Sequence, residues 1–357
     1  MTPPTVVRRT SERRPRTERV TAWLRARLGR AAVIAYAAAL LLPGPGLWLR
    51  APHILPATAL TLRTGPLLLS LVLFCAGLQV PLTALGRLFR RPLVLVAGLA
   101  LHLMIPLAVV PVVACLLRYT PDSDGGSGLL TAMILTVSMP VAAGATVWTD
   151  RGDGDRSAMV GLVLVSTLAS PITTPLLLGK LAPLLSGGYA HTLAVSGRLA
   201  QDGFAFTSVV MPCAAGLLCS FVLPARWLGR LLRGVPPIAL IGSLALTYVN
   251  ASGALGSMIA RPRPLLIAAA LLVAALICGL SFALGQAAAR VLRFDAGTAS
   301  SLTLACGMNN SSASAVLIST SMPGKPHLLL PVLAYGLLQK TAANRITRAQ
   351  RGRPVRS

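Results

Sequence analysis

SMPVAAGATVWT, residues 138–149, breaks a stretch that its flanks would otherwise carry across a membrane as a helix. ACGMNNSSASAVLIST, residues 305–320, does the same later in the chain. Pro140 lacks the N–H that would continue the helical ladder, and Gly144 permits dihedrals closed to other residues. Gly307 precedes a run from Asn309 to Ser314 in which every residue except Ala313 is polar. An unpaired backbone N–H or C=O in hydrocarbon is costly. Non-helical backbone at membrane depth is therefore kept where protein or a hydrated cavity satisfies it, and there it forms binding sites. Ser, Thr and Gly are also ordinary packing residues between membrane helices. Two clusters at matching positions favour a solute site, and its candidate residues are Pro140, Gly144, Thr146, Thr149, Gly307, Asn309, Asn310, Ser311 and Ser312.

Outward from these breaks the chain is uniformly apolar. Its 357 residues are 54% hydrophobic and 12% charged, with a mean hydropathy of +0.72; a soluble domain carries about 25% charged residues. The expected fold is all-α and multi-pass, with about ten transmembrane helices near 31–50, 65–83, 92–117, 129–149, 157–180, 203–224, 235–251, 264–289, 297–321 and 326–344. The organisation read from these runs is a basic N-terminal tail (1–30), a first five-helix repeat (31–180), a connector (181–202), a second repeat (203–344) and a basic C-terminal tail (345–357). Five spans per half is an odd number, so related halves would be inverted copies. The fourth span of each half is the interrupted one, so two broken helices would cross.

The net charge of +24 does not point to nucleic acid, because the basic residues sit in tails and connectors with few aromatics among them. With the N-terminus inside, 25 of the 33 Lys and Arg fall on the cytoplasmic side, as the positive-inside rule requires. Both termini are thus expected in the cytoplasm of a plasma-membrane protein, with membrane lipid as a partner of the basic segments. Arg261 and Arg263 fall on the outer side in this scheme. The six cysteines lie in apolar stretches without a CxxC pair or a Cys/His spacing, which reads as packing rather than metal binding. DRGDGDR, residues 150–156, lacks the length and terminal Glu of a calcium loop and reads as a tight turn. No triad, carboxylate pair or metal arrangement is apparent in the spans, so an enzyme is not expected.

The motifs FCAGLQV (74–80), MPVAAGATVWTDRGDGDRSAMVGLVLVSTLASPITTPLL (139–177) and GMNNSSASAVL (307–317) resemble the bile acid:sodium symporter superfamily, over roughly residues 31–344. The resemblance implies two inverted repeats arranged as a panel domain and a core domain, with sodium-coupled uptake of organic anions. The positions it assigns to sodium hold Ala145, Thr146, Met159, Val163 and Leu101 here, and Ala305 replaces a family Glu. Sodium, a hard cation, prefers oxygen ligands, so this chain reads as a divergent member lacking most of that ligand set.

The function expected is secondary transport of a small organic solute, an organic anion by resemblance, through alternating access. The alternative is a transporter-derived receptor or scaffold that binds a solute or partner without coupled transport. No cofactor is expected, and Na+ or H+ is the candidate coupling ion, held by His102, Thr146 and Asn309. His102 lies inside a span, and an ionisable group there is a functional candidate. Gln79, Ser166, Thr167, Ser170, Thr247 and Asn250 are candidates to line the pathway. The oligomeric state is left open by the sequence.

Overall fold

A computed structural model of the chain describes residues 27–54, 61–81, 92–118, 126–260 and 264–351, with the single positions 21, 23 and 86. Most of the expected basic tails, the connector around Arg87 and the pair Arg261 and Arg263 lie outside the described residues. The described chain is helical apart from short turns and a pair of two-residue antiparallel strands, β1 (His53–Ile54) and β2 (Thr61–Leu62). Each of the ten expected spans is helical over most of its length. Among the described residues, five single helices are long and apolar enough to cross a membrane, and one bent pair passes the same test.

That bent pair is the first expected span. It divides into α1 (Leu28–Leu41) and α2 (Pro43–Arg50), turned by 90°. A residue before proline is pushed out of the helical region, and Leu42 sits at φ −131°, ψ 65°. Its carbonyl accepts a hydrogen bond from the Tyr248 hydroxyl at 2.6 Å, which stabilises the bend from another helix. The next helices follow the expected spans closely: α3 (Thr64–Leu78), α4 (Pro92–Leu117), then α5 (Ser127–Val137) and α6 (Ala145–Arg151) on either side of the first break, and α7 (Arg156–Leu181). The Asp155 carboxylate caps α7 by accepting from the N–H groups of Ser157 and Ala158.

The connector at 181–202 is itself largely helical, with α8 over Gly188–Leu199. A π-helical run, Ala200–Val210, leads from it into α9 (Met211–Val222). The kink in that run falls at Gly203, whose φ of 142° is open to glycine and closed to other residues. There follow α10 (Ala225–Ala260), α11 (Pro264–Val291), and α12 (Ala296–Gly307) and α13 (Ser311–Ser321) around the second break. The last helix, α14 (Leu329–Arg351), runs past the expected end of its span and takes in part of the expected tail.

Two groups of helices pack against each other. In one, α3 lies on α9 and α10, and α10 also covers α1 and α2. In the other, α4 packs on α7, and α11 packs on α12, α14 and α4. The interrupted helices sit at the centre of the second group. Every residue of α5 from Leu129 to Val137 is buried, and so is every residue of α12 from Ser300 to Gly307. A helix buried on all sides has no solvent-facing side to mark as polar, which explains why these segments lack an amphipathic stripe.

Candidate functional site

The two breaks meet. Val141 and Asn309 form an antiparallel β-bridge, with the Ala142 N–H donating to the Met308 carbonyl at 2.8 Å. The Asn310 N–H donates to the Pro140 carbonyl at 2.9 Å. Each interrupted segment thus supplies the partners that the other lost by leaving the helix. Further groups at or beside the breaks are bonded by side chains. The Val141 N–H donates to the Ser166 hydroxyl at 3.1 Å, and Thr174 donates to the Ser138 carbonyl at 2.9 Å. Ser314 donates to the Leu135 carbonyl at 3.0 Å, and Tyr335 to the Gly307 carbonyl at 3.1 Å. The cost of breaking two helices in oil is offset by this local network.

Tyr335 also fixes the orientation of Asn309. Its hydroxyl proton goes to Gly307, so it accepts from the Asn309 amide nitrogen at 2.9 Å. The Asn309 Oδ1 is then directed elsewhere, and it is buried with no hydrogen-bond partner among the described residues. Asn310 caps α13 by accepting from the Ala313 N–H at 3.1 Å. Gly307 is a steric requirement, because a Cβ there would fall within the Phe282 ring of α11.

A cavity of about 200 Å³ lies between the two helix groups and ends on this crossing. Its floor is formed by Ala142, Gly144, Thr146, Asn309, Asn310 and Ser311. One wall comes from α3 and α10, including Leu69, Gln79, Pro236 and Leu244, and the opposite wall from α7 and α14, including Val160, Gln339 and Lys340. At the mouth Arg156 pairs with Asp150 at 3.4 Å.

The sequence-derived candidates fall into two sets. Gly144, Thr146, Asn309, Asn310, Ser311 and Ser312 line the cavity, as does Gln79. Pro140 and Gly307 act from behind it, through the carbonyl bonds described above. Thr149 is fully buried away from the cavity and donates to the Ala145 carbonyl at 3.1 Å. His102 is buried in α4 outside the cavity wall, and its Nε2 has no hydrogen-bond partner among the described residues. Thr167, Ser170, Thr247 and Asn250 are buried in helix packing, while Ser166 braces the first break. Gly144 has ordinary helical dihedrals, φ −62° and ψ −15°, and a Cβ there meets nothing within 4 Å. It therefore supplies open space at the floor and no unusual backbone.

Lys340, Gln339 and Tyr335 had no place among the sequence candidates. Lys340 fell within the last expected span without being singled out; it belongs to α14 and lines the cavity. The signal was present as the four-residue step Tyr335–Gln339, which puts both side chains on one helix face.

Replacing Ser166 by Ala leaves the buried Val141 N–H without its partner. The expected cost is about 1–3 kcal/mol of stability, read as a lower unfolding midpoint in detergent, with Ser166→Thr close to wild type because the hydroxyl is kept.

A bundle of long apolar helices, with two interrupted spans crossing at the floor of a cavity, defines a multi-pass membrane protein of transporter type. Comparison with known proteins agrees. The model of the Sodium Bile acid symporter family matches residues 66–261, more than half of the chain. A protein of Bacillus subtilis (strain 168), named an uncharacterized sodium-dependent transporter, YocS, is 23% identical over 252 residues, covering 70% of this chain and 71% of that one. A rice protein (Oryza sativa subsp. japonica), named a probable sodium/metabolite cotransporter, BASS2, chloroplastic, is 29% identical over 255 residues, covering 70% of this chain. The aligned region spans about half the rice protein's length, 54%. The chain belongs to the Sodium Bile acid symporter family.

Proposed function

We propose that the protein is a secondary transporter that carries a small organic anion across the plasma membrane by alternating access, with both termini in the cytoplasm. The observation that carries this reading is the crossing of the two breaks at the blind end of a cavity between two helix groups. The cavity mouth lies beside Asp150 and Arg156, in the turn that the charge rule assigns to the cytoplasm. Beyond the crossing, the way is closed by fully buried side chains of α5 and α13, among them Met133, Ile134, Leu135 and Leu317. Such an arrangement corresponds to the inward-facing half of the cycle. Rocking one helix group against the other would close the mouth and open the far side.

Both relatives carry sodium in their names. Of the positions that the resemblance assigns to it, Ala145 and Met159 are fully buried and Val163 is nearly so. Thr146 supplies a hydroxyl, which donates to the Ala143 carbonyl at 2.8 Å. Methyl and thioether groups are poor ligands for a hard cation, so these residues do not fit sodium at that place. No step of the proposed cycle is routed through it.

The test is uptake into proteoliposomes, with small carboxylates and bile salts under imposed sodium or proton gradients. Accumulation against a gradient is expected. Saturable binding without accumulation would replace transport with the receptor reading.

A further inference from the structure

The cavity contains a cation of the protein's own. Three charged side chains line it, namely Asp150, Arg156 and Lys340. The first two pair with each other at the mouth, so their charges cancel and the lining keeps one positive charge. That charge sits on Lys340, which is half-buried in α14. Its ammonium has neither an ion-pair nor a hydrogen-bond partner among the described residues. Also on the lining are neutral polar groups, Gln339, Asn310, Ser311, Ser312 and Thr146, while the wall from α3 and α10 is mostly apolar.

An anion that enters such a space loses hydration, and its charge needs a partner. Of the positions that the resemblance assigns to a sodium ion, all but Thr146 are apolar here. We infer that the Lys340 ammonium is the resident cation of the site: it pairs directly with the single carboxylate or sulfonate of a small amphipathic monoanion, and binding needs no sodium. This rests on the organic-anion reading above and adds the charge that recognises the anion. Lysine is a compact point charge with three donors, enough to engage one anionic group while the Asn310 and Ser311 side chains bond the rest of the head. The apolar wall formed by Leu69, Leu73 and Leu244 receives the hydrocarbon body.

The test is thermal-shift titration of the detergent-purified full chain with pyruvate, benzoate, succinate, cholate and neutral benzamide. Each is run in sodium and in N-methylglucamine medium, for wild type, Lys340→Gln, Lys340→Met and Lys340→Arg. A monoanion is expected to stabilise wild type equally in both media. Either neutral variant should weaken its apparent affinity by roughly 30-fold or more, the loss on removing one partner of a buried charge pair, and Lys340→Arg should keep sodium-independent binding. The two neutral variants differ in polarity, so one remains informative if the other does not fold. Anion binding that requires sodium, or that survives in both neutral variants, overturns the role of Lys340 and leaves the transporter reading standing. Stabilisation by benzamide but by no anion, or by no member of the panel, overturns both.

Discussion

The double variant Asn309→Ala, Asn310→Ala is expected to fold and to accumulate no organic anion, its uptake falling to the level of empty liposomes. Asn310 caps α13 through the Ala313 N–H, and losing a cap costs about 1 kcal/mol. Asn309 donates to Tyr335, which keeps its own bond to the Gly307 carbonyl. The backbone bonds that join the two breaks run through Ala142, Met308, Pro140 and Asn310 main-chain atoms, so they survive both truncations. What disappears is the part of the polar floor that these two side chains supply, the unpartnered Asn309 Oδ1 and the Asn310 amide. A variant with a near-normal unfolding midpoint and background uptake meets the expectation. Normal uptake would remove the crossing from the transport pathway.

Gly216→Val is expected to be the most destabilising single change in the scaffold. Helices α3 and α9 approach through a reciprocal pair of glycines. A Cβ on Gly216 would fall on the Phe74 carbonyl oxygen, and a Cβ on Gly77 on the Cys213 carbonyl oxygen. The obstacles are backbone atoms, so no side-chain rotation relieves the clash and the helices must separate. Small residues permit such close approach in membranes, and overpacking a tight contact costs typically about 1–3 kcal/mol, occasionally more. Separation would also move Leu69, Leu73 and Cys213 of the cavity wall. The expected result is a large drop in the unfolding midpoint together with lost uptake, with Gly77→Val behaving alike. At Gly144, where a Cβ meets nothing within 4 Å, Ala should leave the midpoint unchanged.

The sequence made the breaks legible because each replaces an apolar run by residues that cannot or need not stay helical. Pro140 and the polar run from Asn309 carry that signal by themselves. The pairing of the breaks followed from their matching rank in two five-span halves. The bend at Leu42 was not legible as such, since the apolar run continues through Pro43 and the extra stabilising bond comes from Tyr248, 206 residues away. Likewise, nothing local marks Thr174 as the partner of Ser138 or Tyr335 as the partner of Gly307. These are tertiary contacts between helices. Lys340 drew no attention because it sits near the end of its expected span, where charge is ordinary; here α14 continues to Arg351 and carries the ammonium on the cavity wall. Gly144 drew attention for its backbone freedom, yet its dihedrals are ordinary, and the missing side chain is what matters.

Disulfide trapping of the β-bridge reaches the central idea most directly. The bonds from Ala142 to Met308 and from Asn310 to Pro140 bracket Val141 and Asn309, which makes them a non-hydrogen-bonded antiparallel pair, with Cα atoms about 4.5 Å apart. That spacing suits a disulfide. In a chain whose six native cysteines are replaced, Val141→Cys with Asn309→Cys should form an intramolecular disulfide under mild oxidation in the membrane, identified by mass mapping of the joined peptides. Two thiols that stay reduced and alkylate independently would mean that the interrupted segments do not cross, and the site built on them would not exist.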